Sequence, residues 1–153
     1  MTDVIALAHR MYRGIKWQEV PETVTQEEQV ELIVDGIEYL YVLSGRNRMY
    51  SDDMYTDTKE PEDPEQEPEY GLFFRDDLTP AEKRIVLLHA EIEFYKMVQA
   101  SHDDDTSYTT DAMSVTHGDK PYEHIGATID RLEKDLAVMW TRLPEYNQLG
   151  VSG

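Results

Sequence analysis

Cysteine is missing from all 153 residues, which removes disulfides, zinc–thiolate sites, iron–sulfur clusters and thiol nucleophiles from consideration. Lysine is scarce, limited to Lys16, Lys59, Lys83, Lys96, Lys120 and Lys134. Basic side chains number 14 against 32 acidic ones, a formal net charge of −18. Such a surface repels nucleic acid, whose binding needs Lys and Arg to neutralise phosphates. No segment approaches the ~18 uninterrupted apolar residues that span a bilayer. The start, Met1 to Arg10, has neither a basic stretch nor a small-residue cleavage site, so a soluble, non-exported chain is expected. The eight glycines stand singly, and no phosphate-cradling loop can be built from them. Neither an HExxH nor a GxSxG pattern occurs.

What is present suffices for one folded unit, residues 1–153. Hydrophobic residues make up 40% of the chain, too many for wholesale disorder. The acid is concentrated. Between Ser51 and Glu69 stand nine carboxylates and a single base, Lys59, interrupted by Pro61, Pro64 and Pro68. Proline denies a helix its hydrogen bonds and like charges push the segment open, so 51–69 reads as a long, mobile acidic insertion loop.

Helical spacing of Val4, Leu7, Ala8 and Met11 predicts a short helix over Asp3–Arg13, stopped by Gly14. Thr25-Gln-Glu-Glu28 has the capping-box pattern and opens a helix reaching about Ser44. Tyr70–Phe74 is a short aromatic run suited to a strand or an anchoring turn. Thr79-Pro-Ala-Glu82 is a second capping box, with proline at the first helical position, opening a helix to about Ala100. Both long helices are apolar on more than one side, which calls for a surrounding core or another subunit. Residues 106–118 lack a helical period and read as a strand or hairpin. From Pro121 a last helix carries Ile125, Ile129, Leu132, Leu136, Met139 and Leu143 at steps of four and three, and Pro144 ends it. The expected fold is mainly α: a small helical bundle with an extended strand or hairpin segment, a long acidic loop, and an extended tail over 145–153.

Catalytic constellations are weak. Consecutive aspartates in His102-Asp-Asp-Asp105 point in different directions, unlike the alternating ligands of a calcium loop, and read as a solvated loop. Glu28-x-x-Glu31 and Asp130-x-x-Glu133 are similar to the paired carboxylates of Mg-dependent all-α nucleotide pyrophosphohydrolases. Such a site needs all four turned inward, whereas Asp130 and Glu133 flank an apolar seam where solvent-facing charges sit. His89, inside an apolar helix, reads as a packed residue rather than a base. No catalytic residue, metal or cofactor is expected. Ten tyrosines remain, a residue type favoured at protein interfaces. Tyr50, Tyr55 and Tyr70 bracket or occupy the acidic loop, with no core to hold them, and are candidate partner-binding residues.

The proline-started helix from Thr79, the extended Ser/Thr-rich segment Tyr108–Thr116, the turn Gly118–Pro121 and the closing helix to Pro144 occur in an order that resembles head–tail connector (adaptor) proteins of tailed prokaryotic viruses. That resemblance implies a structural virion protein of the neck, made in the host cytoplasm. Its subunits form a homo-oligomeric ring, commonly a dodecamer, beneath the portal protein. The ring extends the DNA channel toward the next neck or tail component. DNA passes through without specific binding, and no membrane is involved. It further implies that the tail docks on the portal, with Tyr146 and Leu149 as anchors. The acidic composition suits a halophilic host. A different class, an acidic interaction module or DNA mimic, fits the charge as well. Against it stands the mobility expected of the densest acidic stretch.

Overall fold

The computed structural model describes residues 1–15, 24–44, 54–108 and 124–143, of which 101–108 are described by their backbone alone. Along the chain run β1 (Thr2–Asp3), α1 (Val4–Gly14), α2 (Gln26–Leu43), β2 (Tyr55–Lys59), β3 (Glu69–Phe74), α3 (Pro80–Tyr108) and α4 (Ile125–Trp140). The architecture is mainly α with a small antiparallel sheet of order β1-β3-β2.

Three of the helices, α1, α2 and α3, start where a side chain can satisfy free N–H groups; α4 begins after His124 with no side-chain cap. The Asp3 carboxylate accepts from the Ala6 amide at 3.0 Å. At α2 the Thr25 hydroxyl accepts from the Glu28 amide at 3.2 Å and donates to the Glu28 carboxylate at 3.1 Å. Before α3 the reciprocal box is complete: the Glu82 amide donates to Thr79 Oγ1 at 3.2 Å, and the Thr79 amide donates to Glu82 Oε1 at 3.0 Å. Glu82 is buried in the process.

α3 is the spine. Its apolar residues face several directions because α1, α2 and α4 all pack on it. Ile85, Val86, Leu88, Ala90 and Phe94 are wholly inaccessible. Most of the wide apolar surface of α3 is therefore covered within one chain, with Met97 left exposed. α4 runs antiparallel to α3, since Gly126 lies beside Gln99, Glu133 beside Lys96 and Arg142 beside Arg84. Ile125, Ile129, Leu132, Leu136 and Leu143 are buried as the seam predicts. Near the helix end Trp140 is buried, and Met139 is only partly so.

Two expectations are corrected. The acidic insertion is not a loop throughout: Tyr55–Lys59 pairs antiparallel with β3, with Thr56 opposite Phe73 and Lys59 opposite Glu69. Its tip is a turn in which the Gln66 amide donates to the Asp63 carbonyl, and the Glu65 amide to the Asp63 carboxylate, each at 3.0 Å. β-branched Thr56 and Thr58 supply strand character that charge density and prolines mask. The segment 102–105, read as a loop, lies inside α3, as do residues 106–108 of the expected strand. The rest of that strand, from 109, falls outside the described residues, as does the tail 145–153.

β1 ties the sheet to the bundle. Thr2 Oγ1 donates to the Asp76 carbonyl at 2.8 Å and accepts from the Leu78 amide at 3.0 Å. The Tyr41 hydroxyl donates to the Asp76 carboxylate, fastening α2 to the same connection. Phe74 is fully buried between Tyr41 and Tyr55, with ring centroids 5.3 Å from each.

Candidate functional site

Of the five tyrosine and leucine positions expected to meet partners, Tyr50, Tyr146 and Leu149 lie outside the described residues. Tyr55 stands opposite Phe74 and Tyr70 opposite Thr58, so the two lie apart along the hairpin. Tyr55 is half-buried with its ring against Phe74, so a core does hold it, contrary to expectation. Tyr70 is 78% exposed on β3 and is the most exposed large hydrophobic side chain among the described residues. Around the hairpin tip Glu60, Glu62, Asp63, Glu65, Glu67 and Glu69 are all exposed. The hairpin therefore presents six carboxylates and no base over 60–69 on an ordered scaffold.

The most elaborate side-chain arrangement lies where α2, α3 and α4 meet. His89 stacks on Tyr39 with centroids 4.2 Å apart and planes 24° apart. Trp140 approaches Tyr39 edge-on, and its indole N–H donates to the Tyr39 hydroxyl at 3.2 Å. These rings, with Ile92 and Leu136, wall a pocket of about 350 Å³ whose mouth carries Glu93, Lys96 and Glu133. Lys96 bridges the two carboxylates at 3.8 and 3.7 Å, neutralising the entrance in part. His89 Nδ1 is buried with no hydrogen-bond partner among the described residues. Sequence reasoning placed His89 in the core but could not find the cluster, because its three rings come from helices far apart in the chain.

Burial holds the His89 imidazole below its ordinary value of 6.5; Glu93 and Asp35 work against this and Lys96 with it. The folded state thus binds its proton more weakly than the unfolded chain. Stability contributed by neutral His89 is full above pH 6.5 and is lost as pH falls from there through the folded value. Half-buried Glu91 acts in the opposite direction: burial raises its carboxyl above 4.5, while Arg84 and Arg131 partly offset the rise. Comparing wild type with His89→Gln isolates the imidazole. The wild-type melting temperature should drop more steeply than the variant's on acidification below pH 6.5, and superimposable profiles would show that His89 does not titrate with unfolding.

The four carboxylates compared with a magnesium site do not converge. Glu28 is engaged with Thr25, Glu31 and Asp130 are exposed, and Glu133 pairs with Lys96. Among the described residues no three Asp, Glu or His side chains are placed to hold a metal ion. A second hollow of about 490 Å³ between α1 and α2 presents His9 and Arg13 beside Gln26 and Gln29. No described helix is long and apolar enough to cross a membrane. No protein-family model, no curated protein and no solved structure matches the chain.

Proposed function

We propose that this chain is a structural subunit of a virus neck, a head–tail adaptor that joins with its own copies in a ring beneath the portal and carries the DNA channel toward the tail. The observation that carries the reading is the sequence pattern from Thr79 to Pro144, a proline-started helix, a turn and a closing helix, which resembles that family. Tyr108, counted in the extended segment of that resemblance, belongs to α3. The capping box at Thr79 and the buried seam of α4 support that stretch as a self-consistent antiparallel helix pair. The charge supports it too. A channel part must let DNA slide, and a net of −18 per subunit offers phosphates little to adhere to. Portal and tail components are the partners, with the segment 145–153 as the portal-docking element and Tyr146 and Leu149 as its anchors.

Mass spectrometry of purified virions from the native host should find this chain in many copies per particle, and antibody labelling should place it at the head–tail junction. Its absence from virions would sink the reading.

One observation favours a second reading. The acidic stretch was expected to be mobile, which counted against an acidic docking module. The Asp63 turn instead places its carboxylates on a paired hairpin. A module of this kind would be absent from virions and would bind one basic protein partner as a small complex.

A further inference from the structure

The chain carries few cations, and most described ones have carboxylates near them. The outer seam between α3 and α4 holds two arginines that have carboxylates near, Glu91 and Asp135, but none within ion-pair distance among the described residues. There a groove of about 220 Å³ is lined by Arg84, Leu88, Asp135, Val138, Met139 and Arg142. Leu88 forms a fully buried floor, and Val138 is 51% exposed at the rim. Arg84 and Arg142 are exposed on opposite helices. Among the described residues neither guanidinium forms an ion pair, and Arg142 reaches only the Met139 sulfur at 3.9 Å. Two unpaired arginines over an apolar floor are unexpected in a chain with more than twice as many acids as bases. Arginine beside buried apolar surface is the composition from which binding hot spots are built.

The complementary surface lies on the same molecule. The hairpin tip, with six acids and no base over 60–69, belongs to the sheet. The sheet packs with α1, whereas α4 packs chiefly along α3. Among the described residues no hairpin carboxylate pairs with Arg84 or Arg142 within the folded chain.

We infer that the acidic hairpin tip of one copy docks in the Arg84–Arg142 groove of the next. Because the two surfaces differ, the contact is heterologous, and repeating it produces a closed ring or an open filament rather than a symmetric dimer. A second copy is the occupant because each chain supplies both halves of one complementary pair. This inference rests on the ring reading above and specifies its interface.

Salt dependence follows. Net repulsion between chains of −18 acts over many ångströms, whereas contacts in the groove act at a few. The screening length falls from ~30 Å at 0.01 M salt to ~10 Å at 0.1 M and ~3 Å at 1 M. Adding salt therefore removes long-range repulsion first and weakens the direct pairs later. Self-association should rise between about 0.01 and 0.1–0.3 M salt and decline toward 1 M.

Sedimentation of the full chain, with circular dichroism to confirm folding, tests the interface. Arg84→Glu with Arg142→Glu should weaken self-association by about tenfold or more, and so should Glu62→Arg with Glu65→Arg. All four positions are exposed, so folding should be spared. The decisive arm mixes the two variants. The groove variant keeps a wild-type hairpin and the hairpin variant keeps a wild-type groove, so the equimolar mixture should form a one-to-one pair where neither variant associates alone. Assembly of the groove variant at wild-type strength would overturn the interface. So would a wild-type chain that stays monomeric at all salt concentrations, or a mixture that fails to associate. None of these outcomes touches the adaptor reading, which stands or falls on the presence of the protein in virions.

Discussion

Leu132→Ala is expected to cost about 2–5 kcal/mol of folding free energy, read as a shift of the urea unfolding midpoint at unchanged slope. Leu132 is 4% exposed at the middle of the α4 seam, between Ile129 and Leu136. Among the described residues α4 leans mainly on α3, and its seam is the contact that holds it there. Protein interiors are packed to crystal density, so removing the side chain forfeits both its transfer energy and the contacts of its neighbours. Val138 is the control on the same helix. It is 51% exposed, and Val138→Ala should stay within about half a kilocalorie of wild type. A Leu132→Ala loss as small as that of Val138→Ala would show that α4 is not docked through this seam.

The elements that could be read from sequence are those whose signals are local. Thr79, Pro80 and Glu82 fix the start of α3 whatever surrounds it, and the structure shows the reciprocal hydrogen bonds those residue types imply. The α4 seam was legible because one face meets one neighbour. Its far end was not: spacing favours Met139, but Trp140 turns in to reach the Tyr39 hydroxyl, a choice set by α2. The end of α3 was misjudged. The expected stop near Ala100 leaves His102–Asp105 as a solvated loop, yet the helix continues to Tyr108 although three aspartates near its C-terminus oppose the macrodipole. β2 escaped notice because it is only half-buried: Tyr55-Thr-Asp-Thr-Lys59 has little apolar alternation, and its pairing with β3 spans the acidic turn.

The candidate interface was less legible still. Arg84, near the start of α3, and Arg142, just past the end of α4, are separated by most of α3, by segment 109–123 and by α4, and nothing in their local sequence distinguishes them from other surface cations. Only the antiparallel packing of α3 and α4 puts them on one groove. The hairpin acids could be counted from the sequence, but their count alone suggested a mobile tether. Order at Asp63 turns that count into a surface.

Gly36→Ala is the second substitution expected to act strongly, although alanine is normally the better helix residue. Gly36 sits mid-way along α2 where that helix crosses α3, and an added Cβ would lie 2.9 Å from the Val86 carbonyl oxygen and 3.1 Å from Val86 Cγ1. The first of these contacts is with backbone, which cannot swing aside as a side-chain end could. The two helices must separate, opening space around Ile33, Ile37 and Leu40, all fully buried. Overpacking of this kind costs ~1–3 kcal/mol. Helix propensity returns ~1 kcal/mol. The net expectation is a destabilisation of up to about 2 kcal/mol, visible as a lowered thermal midpoint. Val86→Ala in the same chain relieves only the side-chain contact, so the double variant should not regain the stability of Val86→Ala alone. Equal stability of Val86→Ala with and without Gly36→Ala would mean that the α2–α3 crossing is looser than the 2.9 Å approach requires.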